Sequence, residues 1–244
     1  MDTKQNAGLS AFPEQEKTAY LAALAALATS DREASEEELE HLRQIANDAG
    51  LLEKNEEQII NAARDVSGKN LKDSLDVLKG SDLRYGLITD LIAMAQADES
   101  YTAQEKENIG KVSRYLNIND NQFSILDQYV QKAVEEERPA EEYRKPNYLG
   151  STGMQEKFSN AGFDMQSIGR GIFGFLGPIL LGSLASRSLG RRSSTSSPSR
   201  GGGLGGMFGG NQTGMTRGLG SLLSGLSRSR NSGSMGDLLT RMLR

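Results

Sequence analysis

Hydrophobic residues recur every three or four positions from Glu14 onward, which is the period of a helix with one buried face. In the first such segment Tyr20, Leu21, Leu24 and Leu27 share that face, and alanines fill the intervals between them. A face of this kind could bind a partner, but Ala and Leu at helical spacing more often pack inside a core. The pattern therefore predicts a buried first helix that ends near Ser30.

Helix boundaries are marked by capping and stop signals. Ser35 is followed three positions later by Glu38, the pattern of a capping box in which each side chain bonds the other residue's backbone amide. It predicts a second helix, which Gly50 ends. The apolar spacing continues in 56–66 and 71–78, which we expect to be the third and fourth helices.

The chain then repeats itself with an offset of 67 residues. Asp98 aligns with Asp31, Thr102 with Ser35 and Glu105 with Glu38. The last helix of the second copy carries an apolar stripe and should stop before Pro139. A duplicated helical unit predicts an all-α fold over 14–138, with about seven helices in a pseudo-twofold bundle and no strand, followed by a largely disordered tail.

Both copies share one local pattern: a helix that ends in a polar loop with Asp, a Ser/Thr capping box, and an apolar helix. The second copy, which closes on Leu-Asn-Ile, resembles the tellurite-resistance TerB-like family over 14–137. The resemblance implies a seven-helix domain associated with tellurite resistance and stress. Other members of that family are N-terminal modules of membrane-tethered DnaJ-type co-chaperones.

The resemblance also implies a metal site on the acidic loops, at six positions: Asp31, Glu33, Glu38, Asp98, Glu99 and Glu105. Converging carboxylates favour a hard cation, so Ca²⁺ or Mg²⁺ is the expected ion. The spacing differs from that of an EF-hand. The simpler interpretation is that these acids cap helices and stabilise their positive ends. A general acid and base pair is the third alternative, but the sequence shows no pocket for it.

Composition excludes several chemistries. The chain has no Cys and one His, which excludes disulfides, thiolate metal sites and Cys nucleophiles, and leaves little room for zinc or Ser-His-Asp sites. Residues 1–17 are polar and do not resemble a secretory signal. We therefore expect a cytoplasmic protein that is not an enzyme.

Charge divides the chain in two. Residues 1–150 hold 17 basic and 29 acidic residues, whereas 151–244 hold 11 and 3. The second part is also rich in Gly and Ser, which predicts a linker at 139–170, a short apolar segment at 171–189 and a low-complexity tail at 190–244. Residues 1–13 are likewise expected to be disordered.

The apolar segment is uncharged over 16 residues. As a helix it would span about 24 Å, which is short of the roughly 30 Å hydrocarbon layer, so a transmembrane helix is not expected. Peripheral contact with the inner membrane, docking on a protein partner, and collapse onto the helical domain all remain open. The candidate contact residues are Ile172, Phe173, Phe175, Leu176, Ile179, Leu180 and Leu181.

Three tail peptides set Leu or Met among small residues and close on Arg, and the last of them ends the chain. They are similar in layout to the C-terminal targeting peptides of encapsulin cargo proteins. The terminal peptide predicts a small amphipathic helix, or tail hook, formed by Leu238, Leu239, Arg241, Met242, Leu243 and Arg244. The tail's arginines are dispersed and lack interleaved aromatic residues, so no specific nucleic-acid binding is expected.

Two functions follow from these features. The first is a non-enzymatic TerB-like stress or tellurite-resistance module, which binds a divalent ion and is tethered by its tail to a membrane surface or a protein assembly. The alternative is a structural or cargo protein that its Leu/Arg hooks recruit to a protein shell.

Overall fold

The structure is a computed structural model that describes residues 9, 12–30, 34–97, 101–136, 150, 153–164 and 233–242. Helices form most of this part of the chain, and no strand occurs within it. The bounds are α1 Glu14–Ala28, α2 Glu36–Asp48, α3 Glu53–Arg64, α4 Lys69–Leu78, α5 Leu83–Ala97, α6 Ala103–Tyr115, α7 Asp120–Glu136, α8 Gln155–Asn160 and α9 Gly233–Met242. The predicted all-α fold is confirmed, and its seven helices correspond to α1 to α7.

The repeat extends to the turns. Helices α2 and α6 both end in a left-handed residue, Gly50 at φ 71° and Asn117 at φ 59°, which are 67 positions apart. The next amide bonds back across the turn in each copy: Leu51 N donates to Ala46 O and Ile118 N donates to Ser113 O, both at 3.0 Å. This six-to-one bond satisfies a carbonyl that the helix end leaves open.

Equivalent helices pack together in the two halves. Helix α1 lies against α3, as α5 lies against α7, and the second helix of each half also contacts the third. Helix α4 packs on α1, and nearly all of the positions equivalent to it in the second half, 137–145, lie outside the described residues. Every residue of α1 from Lys17 to Ala28 is buried, so its Ala-rich face is core, as predicted.

A polar contact links the halves inside the core. Tyr20 of α1 and Asp90 of α5 are both fully buried, and the Tyr20 hydroxyl donates to Asp90 Oδ2. Such a pair is tolerated in the interior because each polar group has a partner there.

The interval predicted as a linker contains ordered structure. Residues 153–164 include α8, whose Phe158 is fully buried against α7, with its ring 5.7 Å from that of Tyr129 in an edge-to-face arrangement. Phe163 packs in the same way on Tyr85 at 5.1 Å. Two aromatic side chains thus fasten this segment to the domain.

The predicted terminal helix is present and begins at Gly233. Its apolar side, Leu238, Leu239 and Met242, is buried, and the helix packs against α4 and α6. Helix α9 therefore lies on the helical domain. Leu243 and Arg244 of the predicted hook lie outside the described residues.

Candidate functional site

Both capping boxes form as predicted. In the first, Glu38 N donates to Ser35 Oγ at 3.3 Å and Ser35 N donates to Glu38 Oε2 at 2.9 Å. In the second, the distances are 3.2 Å from Glu105 N to Thr102 Oγ1 and 2.7 Å from Thr102 N to Glu105 Oε2. One carboxylate oxygen of each Glu is therefore engaged in holding a helix start.

The other four candidate metal ligands, Asp31, Glu33, Asp98 and Glu99, lie outside the described residues. Within the described ranges, no three His, Cys, Asp or Glu side chains are grouped so that they could hold a metal ion. The predicted convergence of the two loops thus stays a prediction, while the capping role of Glu38 and Glu105 is established.

Next to the second acidic loop, the structure reveals a carboxylate that the sequence reasoning missed. Asp127 of α7 is 3% exposed, and Lys106 Nζ lies 2.6 Å from its Oδ2. Gln131 also donates to Oδ2, at 3.3 Å, whereas Oδ1 is buried and has no hydrogen bond in the described structure.

Asp127 lies close to the end of the second acidic loop. Tyr101, the residue that directly follows this loop, is near the Asp127 carboxylate. Burial raises the pKa of the Tyr101 phenol, and the negative charges of Asp127 and Glu105 raise it further. The phenol therefore stays protonated. The equivalent position in the first half is Ile60, so this polar group distinguishes the second loop from the first.

A signal for Asp127 existed in the sequence. It falls one turn after Phe123 and next to Leu126, inside the apolar stripe of α7. A charged residue within a buried stripe requires a partner. The partner, Lys106, lies 21 residues away on another helix, and local spacing does not show it.

A second site is the surface that receives α9, formed by the turn 65–68 and by α6. A cavity of about 550 Å³ opens beside it, between α9 and the start of α2. Asp237, Leu238 and Arg241 line one side of the cavity. Glu36 and Arg64 on the opposite side form an exposed ion pair at 3.2 Å.

The turn that carries this surface is held by Asp65. Its carboxylate accepts from Ser67 N and Asn70 N, both at 2.8 Å, and from the Ser67 hydroxyl at 2.6 Å. Burial opposes ionisation, but these bonds and the charge of Lys69 together lower the pKa of Asp65. Asp65 therefore supplies the cap of α4, whose N-cap residue is a glycine without a side chain.

The candidate membrane-contact residues, Ile172, Phe173, Phe175, Leu176, Ile179, Leu180 and Leu181, lie outside the described residues. In the part of the chain that the structure describes, no helix combines the length and apolar character needed to cross a bilayer.

One comparison with known proteins gives a match within the helical domain. Residues 17–128 match the family model described as tellurite resistance protein TerB. The match covers α1 to the middle of α7 and leaves α8 and α9 outside it. No curated protein and no solved structure matches the chain.

Proposed function

We propose, from the premise that residues 17–128 form a TerB domain, that this chain is a non-catalytic, stress-associated binding module which its tail attaches to a protein assembly. The observation that carries the proposal is α9. Its apolar side chains, Leu238, Leu239 and Met242, are buried on a protein surface. A short helix with three adjacent apolar anchors is a common form of protein-docking peptide.

The charges of α9 favour a protein partner over a lipid surface. Asp237 and Arg241 form an ion pair one turn apart, so the two charges balance each other. Helices that bind anionic membranes instead carry an excess of Lys and Arg on the polar face. We therefore assign the tail hook to a protein assembly, and recruitment to a closed protein shell is one form of this role.

Full-length variants test the attachment. Leu239→Asp places a charge in the buried face of α9, whereas Thr240→Asp changes an exposed neighbour and is the matched control. Native mass is measured on sucrose gradients of cell extract. The unmodified chain and Thr240→Asp should sediment with an assembly, and Leu239→Asp should sediment as free protein. Equal sedimentation of all three chains would exclude α9 as the attachment.

Divalent-cation binding at the second acidic loop is a second candidate function. It is supported by the carboxylate of Asp127, which is 3% exposed and lies beside Tyr101, the residue that follows the loop with Asp98 and Glu99. Carboxylate oxygens are the ligands that Ca²⁺ and Mg²⁺ prefer. Lys106 would compete with the ion, because its ammonium group already neutralises Asp127.

Calorimetric titration of the full chain with Ca²⁺, Mg²⁺ and Mn²⁺ tests this function. Lys106→Met should tighten binding at least several-fold, since it removes the competing charge. Lys111→Met is the control, because Lys111 pairs with the exposed Glu107 at 3.2 Å. If no heat is measured at millimolar ion in either variant, the cation function is wrong.

A further inference from the structure

The helical domain α1 to α7 (the head) meets α9 at a glycine on each side of the contact. On the head, Gly68 is the N-cap of α4 and has φ +81°. A Cβ placed on it would lie 3.2 Å from both Leu238 O and Met242 N, which are backbone atoms of α9. The turn thus touches the helix backbone itself, so closely that a Cβ would push the two backbones apart by a few tenths of an ångström.

On the helix, Gly236 makes the corresponding contact with α6. A Cβ at this position would lie 3.3 Å from Asn108 Oδ1. Asn108 is 1% exposed, and its Oδ1 accepts from Gln104 Nε2 at 3.4 Å. The space beside Asn108 is therefore fitted to a glycine.

The apolar anchors of α9 lie between these two contacts, and a hydrogen bond lies at the edge of the interface. Leu238, Leu239 and Met242 are all at most 5% exposed. Arg241 Nη1 donates to Val66 O at 3.0 Å, although the Val66 side chain is 69% exposed. A buried apolar centre with a polar contact at its edge is the usual anatomy of a protein interface.

We propose that the turn 65–68 and α6 form a binding site for the chain's own terminal helix, and that the docked helix is the state in which the tail hook is withheld from an outside partner. The occupant comes from the same molecule. Sixty-eight residues join Asp164 to Gly233, and a covalent link of this length keeps the helix at an effective concentration on the order of a millimolar. Docking within one chain therefore prevails over docking between chains at micromolar protein.

The docked state extends the attachment role, because one set of side chains serves both contacts. Leu238, Leu239 and Met242 face the head while α9 is docked, so they are not accessible to an outside partner. The assembly and the head then compete for the same helix. The docking of α9 on the head can be measured without knowledge of the assembly, so it would stand even if the attachment role failed.

The first test is a designed disulfide in the full chain. The protein has no Cys, so Asn108→Cys with Gly236→Cys introduces the only pair. The ideal Cβ at Gly236 is 3.8 Å from Asn108 Cγ, which is within reach of a disulfide after small adjustment. Asn108→Cys with Thr240→Cys is the control, since Thr240 is exposed.

Under mild oxidation the first pair should form an intramolecular bond at least ten times faster than the control pair. Equal rates would overturn the docking. Disulfide-linked dimers as the main product would overturn docking within one chain and assign the site to a second copy.

The second test measures the vacated site and does not depend on Asn108. A fluorescent peptide of residues 231–244 is titrated into full-length Leu239→Asp, Thr240→Asp and unmodified chain. Leu239→Asp should bind it at least ten-fold more tightly than the other two, because its own helix no longer occupies the site. Circular dichroism checks that the variant is folded, and Met242→Asp provides a second vacated chain, that is, a chain whose own helix no longer occupies the site. Equal affinities in all chains, or no binding to either vacated chain, would refute the proposal.

Discussion

The capping boxes allow the same substitution to be compared at a helix start and within a helix. Ser35→Ala removes the oxygen that accepts from Glu38 N at 3.3 Å. Loss of such a cap costs about 1 kcal/mol of the free energy of unfolding. Ser124→Ala, in the exposed interior of α7, removes only a 3.3 Å bond from Gln128 Nε2. There Ala should stabilise the helix by a few tenths of a kcal/mol, because its intrinsic helix propensity is higher.

The two substitutions should therefore change the free energy of unfolding in opposite directions. For a domain of about 125 residues, the entropy of unfolding is about 0.26 kcal/mol/K, so a loss of about 1 kcal/mol lowers Tm by about 4 °C. Thr102→Ala should behave like Ser35→Ala, since its box has the same geometry. The assay is thermal unfolding by circular dichroism, with urea unfolding as a second measure.

The result that would refute this reasoning is a Ser35→Ala protein as stable as, or more stable than, Ser124→Ala. Divalent ions provide a further check. If Ser35 acts only as a cap, the difference in Tm between the unmodified chain and Ser35→Ala is the same with millimolar Mg²⁺ and without it. A difference that appears only with the ion would assign the first loop to metal binding.

Three further predictions concern turns, charge and packing. Gly50→Ala and Gly68→Ala should each lower the free energy of unfolding by about 1 kcal/mol, because Ala is strained in the left-handed conformation of both residues. Only Gly68→Ala should also speed amide exchange in α9, since its Cβ would meet the α9 backbone at 3.2 Å, whereas nothing lies within 4 Å of a Cβ at Gly50. Bonds from Lys72, Lys79 and Tyr115 hold the pKa of Asp76 well below its ordinary value. Its contribution to stability is therefore present in full above about pH 4 and is lost as the pH falls further, so urea unfolding should show the deficit of Asp76→Asn shrinking steadily as the pH is lowered below 4. Phe158→Ala should lower the free energy of unfolding by about 3 kcal/mol, and Lys157→Ala by less than about 0.5 kcal/mol, in the same assay; equal losses would show that α8 does not dock.

Local signals account for what the sequence predicted correctly. Each capping box, at Ser35 and at Thr102, depends on residues only three positions apart, and the offset of 67 relates one box to the other, so the starts of α2 and α6 were predictable. The same offset relates the left-handed turns at Gly50 and Asn117. A duplicated local pattern is informative because each copy supports the interpretation of the other.

Contacts between distant segments account for what was missed. The pairing of Asp127 with Lys106 depends on how two helices meet, and neither residue's neighbours specify it. Helix α8 is a six-residue helix and depends on Phe158 reaching a pocket beside Tyr129. The amphipathic pattern of α9 was visible in the sequence, but an apolar face does not reveal which surface covers it.

The buried pair Tyr20 and Asp90 also constrains how this duplicated domain can be divided. Shifted by 67 positions, the two residues correspond to Leu87 and Ala23, both fully buried and apolar. If two copies of the second half were paired, Asp90 of one copy would be buried opposite Leu87 of the other. If two copies of the first half were paired, Tyr20 would lie opposite Ala23. The halves are thus complementary, and neither can replace the other. The domain behaves as a heterodimer fused into one polypeptide, and fragments cut between α4 and α5 should recover their fold only when the two different halves are mixed.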